Sequence, residues 1–366
     1  MKTQKLLKTI LIILLLAVSS LLYAADWECI TTDLWKQIPD YEDGPNHFVR
    51  KSGTLLVNPE TGQLFLLVSP KYGIWTSTDQ GKSWKRSDDN VVSGRTWGGD
   101  GAQFDPNDYN RMAFFTIVGK GATPIGGISL DGGKSWQAFH KPQGMRHDGW
   151  TSGQVDWRDK EPKTIFAKQH HTENLWITRD LGKSWEQVTL EGGAYKLGMF
   201  DDDAFVAAPK GNEGLVPILR STDQGKTWTQ VYDPVFLMQR HPHVRGKNGY
   251  WAIDNSILVT NDKGATWKPM DPIVRDVPEG EVTRTWGPIF GRSEDEMLFA
   301  AKGHGYFRSI DRGKSWTKIA NWMENATEFD KAREAFSIGW DLDRKLVYCA
   351  FLGGETYKTN WLEAAE

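Results

Sequence analysis

Arginine, tryptophan and histidine recur together in this chain in strings that suit recognition of an acidic ligand. Arg95-Thr-Trp97-Gly and Arg284-Thr-Trp286-Gly share one pattern, Arg146-His147-Asp148-Gly-Trp150 adds a second, and Gln239-Arg240-His241-Pro-His243 a third. Guanidinium presents a planar fork that pairs bidentately with carboxylate or sulfate, and an indole stacks on the apolar face of a sugar ring. An acidic glycan, bearing uronate, sialate or sulfate, fits that combination best. The expected substrate-binding residues are Arg95, Trp97, Arg146, Trp150, Lys196, Arg240, Arg284, Trp286, Arg333 and His171. Individually, several of these arginines could instead cap strand ends, and Trp97, Trp150 and Trp286 could be packing residues.

Two bond-cleaving chemistries are open to such a set. Hydrolysis needs one carboxyl held protonated as acid and a second as base or nucleophile, drawn from Asp100, Asp148, Glu173 or Glu334. Elimination from a uronate needs a cation on the carboxylate and a base for the C5 proton, which Arg146 or Arg240 with His147, His241 or Tyr195 could supply. The expected catalytic residues are therefore Asp100, Asp148, His147, His241, Tyr195 and Glu334. No cofactor is expected. A metal would have to sit between His241 and His243, which share one face of a strand at i and i+2; two solvated histidines about a proline turn are the alternative.

The elements that position these residues are set by a repeat. Ser77-Thr-Asp-Gln-Gly-Lys-Ser-Trp84 returns at Ser129–Trp136, Thr178–Trp185, Ser221–Trp228, Thr260–Trp267 and Ser309–Trp316 under the rule Ser/Thr-x-Asp-x-Gly-x-x-Trp. The Asp carboxylate can accept backbone N–H groups two or three residues on, the hydroxyl adds a weaker bond, Gly supplies positive φ, and the Trp opens the next strand. Successive box aspartates lie 52, 49, 43, 39 and 49 residues apart, the length of one four-stranded propeller blade.

After the sixth box two more strand-like runs, 335–342 and 345–351, precede Gly354-Glu-Thr-Tyr-Lys-Thr-Asn360, where Asn360 stands in place of a box Asp. The seventh blade thus lacks its outer strand. Trp35-Lys-Gln-Ile38 matches the strands that follow boxes, and Trp27-Glu-Cys-Ile30 is a rival register. The expectation is an all-β, seven-bladed β-propeller of residues 26–366 whose seventh blade is closed by the N-terminal strand, so that no edge stays open. Cys29 and Cys349 would then come near one another, bonded or as two thiols.

Residues 1–25 have the form of a signal peptide, with Lys2, Lys5 and Lys8 ahead of an apolar run from Ile10 to Leu22. A secreted or periplasmic monomer follows, without stable membrane insertion once the leader is cleaved. The net charge of −3 gives no reason to expect nucleic-acid binding. Asp-rich turns such as Asp201-Asp-Asp203 and Asp341-Leu-Asp-Arg344 are expected to be solvated hairpins rather than calcium loops.

The six boxes resemble the Asp-box, or BNR, repeat of the sialidase- and xyloglucanase-like β-propellers, and the single-propeller design is also similar to photosystem II assembly factors. That resemblance implies the fold far more narrowly than the function. Sialidases use an Arg-Ile-Pro motif and a Tyr-Glu pair, which are not evident here. Xyloglucanase-type enzymes carry a catalytic Asp in an Asp-x-Gly-Gly loop, where this chain has Thr123-Pro-Ile-Gly-Gly127. Gln239-Arg-His241-Pro-His243 resembles the metal-binding His-x-His of oligogalacturonate lyases, with different spacing. The leading expectation is a glycoside hydrolase-like propeller acting on or binding an acidic glycan on the face opposite the boxes. The alternatives are a non-catalytic propeller that docks an anionic protein surface and a uronate lyase.

Overall fold

The computed structural model describes residues 27–38, 52–96, 99–118, 125–142, 145, 148–172, 174–191, 193–194, 196–201, 203–209, 214–278, 281–323 and 335–362, with backbone alone at 118, 148, 335 and 336. Among them are seven antiparallel sheets, each with its earliest strand innermost save where the chain ends meet. Blade one comprises Ser52–Val57, Leu64–Val68, Gly73–Ser77 and Lys85–Arg86. Blade two comprises Ala102–Asp105, Asp108–Phe115, Gly126–Ser129 and Gln137–Ala138. Blade three holds Asp148–Val155, Ile165–Gln169, Leu175–Thr178 and Glu186–Val188, with Ile117–Val118 added at its inner edge. Blade four is Lys196–Met199, Phe205–Ala208, Val216–Ser221 and Thr229–Val235. Blade five is His243–Arg245, Asn248–Ile253, Ser256–Thr260 and Lys268–Pro269. Blade six is Thr285–Phe290, Met297–Ala301, Gly305–Ser309 and Thr317–Ala320. Blade seven joins Ala335–Asp341, Leu346–Phe351 and Thr356–Asn360 to the N-terminal Glu28–Cys29.

The second strand of a blade is buried on both faces, as at Leu64–Val68, Phe205–Ala208 and Met297–Ala301, which is why these read as continuous apolar runs rather than alternating ones. Leu64, Leu66 and Val68 pack toward blade seven with Tyr348, whereas Phe65 and Leu67 of the same strand pack toward blade two with Phe114. The pattern recurs at Met297, Phe299 and Ala301 against Leu298 and Ala300. Seven apolar clusters result, one in each gap between neighbouring blades.

Each box closes the hairpin between third and fourth strands by the same bonds. In the fourth, Ser221 Oγ donates to Asp223 Oδ1 (2.8 Å) and accepts Gly225 N (2.8 Å), while Asp223 accepts Thr227 N (2.9 Å) and the Thr227 hydroxyl (2.6 Å). Trp228 Nε1 then donates to Gly225 O at 3.0 Å. The bonds from the residue four beyond the Asp make the Ser/Thr before the Trp part of the motif, and all six copies carry it. Two consecutive positive φ angles form the turn tip, 63° at Gln224 and 83° at Gly225. The Asp-rich turns between first and second strands use their acids the same way: Asp201 Oδ1 accepts Asp203 N and Ala204 N, and Asp341 Oδ1 accepts Arg344 N.

Ring closure departs from expectation in its register. Glu28 pairs with Lys358 and Cys29 with Tyr357, so Trp27-Glu-Cys-Ile30 supplies the outer strand. Trp35 falls instead in a helix, Thr32–Gln37. Leu34 and Ile38 are both buried beside Leu55 and Val57 while Lys36 between them is exposed, whereas a strand would put all three on one face. Trp27 has the place of a box tryptophan, its ring 5.0 Å from that of Tyr306. The segment is fastened at Glu355, whose Oε2 accepts Thr31 Oγ1 (2.5 Å) and Trp35 Nε1 (2.7 Å). Tyr357 pairs with Cys29 on one side and Cys349 on the other. The two thiols are thus two strand spacings apart, about 9–10 Å, beyond the reach of a disulfide, and both are unbonded to each other.

Two predictions follow from these contacts. The Asp223 carboxyl is held down at about 2 by its bonds from Thr227 and Ser221; Asp79 is pulled up by burial but brought to about 2 by Ser83 and Ser77, and Asp180 reaches about 2 in the same way. A depressed carboxylate contributes stability that is complete above its unfolded value near 4 and lost as pH falls through its folded value. The melting temperature should therefore drop steeply between pH 4 and pH 2, and an equal melting temperature at both would refute the role given to the boxes. Glu355→Ala should lower stability by about 2–3 kcal/mol and expose 27–38 to limited proteolysis before any blade is cut; simultaneous cleavage throughout would count against a clamp.

Candidate functional site

Opposite the boxes, the loops leading into the innermost strands converge on the channel mouth. Lys196 opens the inner strand of blade four, and its Nζ donates to Leu237 O (2.7 Å) and Gln239 O (3.0 Å) in the loop before blade five. That loop is pinned further by Leu197 N to Arg240 O (2.9 Å) and Trp251 Nε1 to Gln239 O (3.0 Å). Lys168, at the end of a buried strand of blade three, donates to the carbonyls of Gln169 (3.0 Å) and Thr172 (2.8 Å). Both ammonium groups thus lie where backbone carbonyls, not only water, must solvate them.

His170 is buried, its Nδ1 3.1 Å from Thr151 Oγ1 and its ring centroid 3.9 Å from that of His171. Burial, then His171, Arg95, Lys168 and Arg240, push its protonation down to about 3. Lys196 is brought to about 7 by burial and by Arg240, against the opposing pull of Asp100. Arg95, Lys168, His170, His171, Lys196 and Arg240 therefore form one electrostatic cluster spanning blades two to five. Asp100, in a 3-10 turn at Gly99–Gly101, is the carboxylate that the described residues bring to it. Asp100 Oδ2 accepts Arg240 N at 3.2 Å, and its Oδ1 lies 3.9 Å from His241 Nε2.

Below the mouth, inner strands of all seven blades line a channel cavity of about 150 Å³. Hydrogen bonds tie blades that are not neighbours around it. Gln154 Nε2 of blade three donates to Pro242 O (2.9 Å) before blade five, while its Oε1 accepts Met199 N of the neighbouring blade four. Arg245 Nε of blade five reaches Asn107 Oδ1 of blade two at 3.1 Å, and Tyr109 Oη of blade two donates to Gly291 O of blade six at 2.5 Å.

The expected binding residues divide accordingly. Arg95, Lys196, Arg240 and His171 come together with Asp100 and His241. Arg284 is exposed in another sector, its carbonyl accepting Lys302 N at 2.9 Å. Trp150 is fully buried in the gap between blades two and three, 4.6 Å from the Trp185 ring, and has no face for a ligand. Trp286 borders the cavity but is stacked on Trp322 at 5.6 Å. Trp97, Arg146, His147, Tyr195, Arg333 and Glu334 lie outside the described residues, as does the side chain of Asp148. His243 spends Nε2 on the Gln239 amide (3.1 Å), and burial followed by His241 pushes its protonation down to about 3. Among the described residues no three His, Cys, Asp or Glu side chains gather as metal ligands. Lys168 and Gln239 were not among the expected residues; a Lys ending the apolar run Ile165-Phe-Ala-Lys168 was the available signal for the first.

A family model for sortilin (neurotensin receptor 3) matches residues 72–204, and one for the BNR-Asp box repeat matches 307–319. No curated protein matches the chain in sequence. Among solved structures, YCF48 from Cyanidioschyzon merolae is 13% identical over 92% of this chain and 99% of its own, with a TM-score of 0.50. YCF48 bound to D1 peptide is 12% identical over 87% and 99%, at 0.49. An ancestral GH74 enzyme is 13% identical over 86% of this chain and 46% of its own, at 0.49. Blade count, closure and box geometry agree with the repeat match: the chain is a seven-bladed β-propeller of the Asp-box (BNR) type.

Proposed function

We propose that this propeller binds an anionic ligand at its channel mouth, as a recognition module rather than a bond-cleaving enzyme. The observation that carries the reading is the gathering of Arg95, Lys168, Lys196, Arg240 and the His170–His171 pair about the single described carboxylate Asp100. Such a gathering raises the local positive potential and favours an incoming carboxylate or sulfate. The leader at residues 1–25 directs the site to ligands outside the cytoplasm.

The test titrates the mature chain with uronate, sialylated, sulfated and neutral oligosaccharides and with an acidic peptide. Acidic ligands should bind at least tenfold tighter than neutral ones, with affinity falling as salt rises; equal affinity for both classes would overturn the reading. Arg95→Ala and Arg240→Ala should each weaken the acidic ligand by about 10–100-fold, the loss of a charge-assisted hydrogen bond, with little change in melting temperature.

Lys196 gives a pH test. Its folded value near 7 lies below the ordinary one, so the unfolded chain binds the extra proton between about pH 7 and 10, and the ligand-free protein should gain stability as pH rises through that window. An anion at the mouth restores the charge. Calorimetry at pH 8 in buffers of different ionisation heat should show proton uptake on binding, and Lys196→Met should abolish it; uptake that persists in the variant would acquit Lys196.

A further inference from the structure

The channel cavity opens toward one face of the ring. Toward the mouth none of the described lining residues is exposed, and Gln239 and His241 are only 7% and 3% accessible. The described lining residues that are exposed to solvent are Asn107, Arg158 and Gly246. All three belong to turns between first and second strands, on the face that carries the boxes. The channel is therefore entered from the side away from the cationic cluster.

Near that opening the wall is apolar. Leu56, Phe104, Val244 and Ile289, from the innermost strands of blades one, two, five and six, are half-buried and line the cavity, joined by Trp157 from the turn of blade three. The free edges of innermost strands also bring backbone groups to the channel, and side chains of other blades take these up. Ser337 Oγ accepts Leu55 N (3.0 Å), Gln103 Nε2 donates to Gly153 O (2.8 Å), and Gln154 bonds both Pro242 O and Met199 N. Trp340 Nε1 and Tyr109 Oη donate to the carbonyls of Phe290 (3.3 Å) and Gly291 (2.5 Å). Gln103 spends its other end on Trp157 Nε1 (3.3 Å), and the acid and base on the wall, Asp156 and Arg158, pair with each other at 2.5 Å. A buried water takes about two to four polar partners, and these bonds leave few.

We propose that the channel is a binding site for a small uncharged aromatic molecule, one ring in size, admitted from the box face. Its volume of about 150 Å³ equals that of an apolar cavity which elsewhere stays dry and holds benzene. Phe104, Trp157, Trp286 and Phe290 on the wall favour an aromatic ring over an aliphatic one, through edge-to-face contact. A charged ligand would leave water for a wall whose acid and base already neutralise one another, and would lose its hydration without a counter-charge. This site differs from the mouth in face and in chemistry, and it does not rest on the anionic reading.

The test follows benzene, toluene, cyclohexane, benzoate and benzylammonium by calorimetry and ligand-observed NMR on the mature chain. Benzene and toluene should bind with a negative heat-capacity change, the mark of apolar burial. They should bind at least about tenfold tighter than either charged ring, and benzene tighter than cyclohexane. Val244→Phe and Leu56→Phe fill the cavity from two different blades; each should weaken benzene by at least about tenfold while the melting temperature holds or rises. If one variant fails to fold, the other decides. Failure of benzene and toluene to bind at their solubility limits would overturn the proposal. So would charged rings or cyclohexane binding as tightly as benzene, or an unchanged benzene affinity in a folded variant of either kind.

Discussion

The pairing of Glu28–Cys29 with Tyr357–Lys358 is the constraint on which the ring depends. Every apolar cluster lies in a gap between two blades, so each blade needs a neighbour on both sides to bury its second strand. A ring left open at blade seven would expose the edge of Thr356–Asn360 to adventitious pairing. Closure also fixes how far apart inner strands stand across the channel, and with it the placing of Asp100 against Arg240. The Glu355 carboxylate, accepting Thr31 and Trp35 together, secures a two-residue strand that is too short to hold by its own ladder.

The mouth shows how burial and charge are balanced. Lys168 and Lys196 are drawn out of water, and backbone carbonyl oxygens, most of them in loops, solvate them. These carbonyls cannot move aside as water does, so the charges are oriented in advance, at a cost in protonation that is visible at Lys196. Preorganised charge of this kind favours recognition of a fixed anionic group over loose ion pairing.

Blade number, closure and the role of the boxes were legible because each rests on a pattern repeated six times in one chain. The box hydroxyl at Ser83 and its equivalents stood in the same alignment, and each donates to the second oxygen of the box Asp. Trp35 misled because its local string, Trp-Lys-Gln-Ile, is a credible strand; the exposure of Lys36 between buried Leu34 and Ile38 decides against it. Trp150 misled for a related reason, since an indole beside Arg and His has the same composition whether it faces solvent or a neighbouring blade. Cys29 and Cys349 are near in the ring yet separated by one strand, a distinction of register that composition cannot carry.

The bonds that join blades two and five, at Asp100 with Arg240 and at Asn107 with Arg245, and blades two and six, at Tyr109 with Gly291, change what sort of repeat protein this is. An array of blades whose energies were purely nearest-neighbour would melt or lose a unit piecemeal. Ties across the axis couple distant units, so the ring has no internal boundary at which to divide. Its blades are interchangeable in sequence pattern but not in the molecule, and evolution by insertion or loss of a single blade would have to rebuild the channel as well as the circumference.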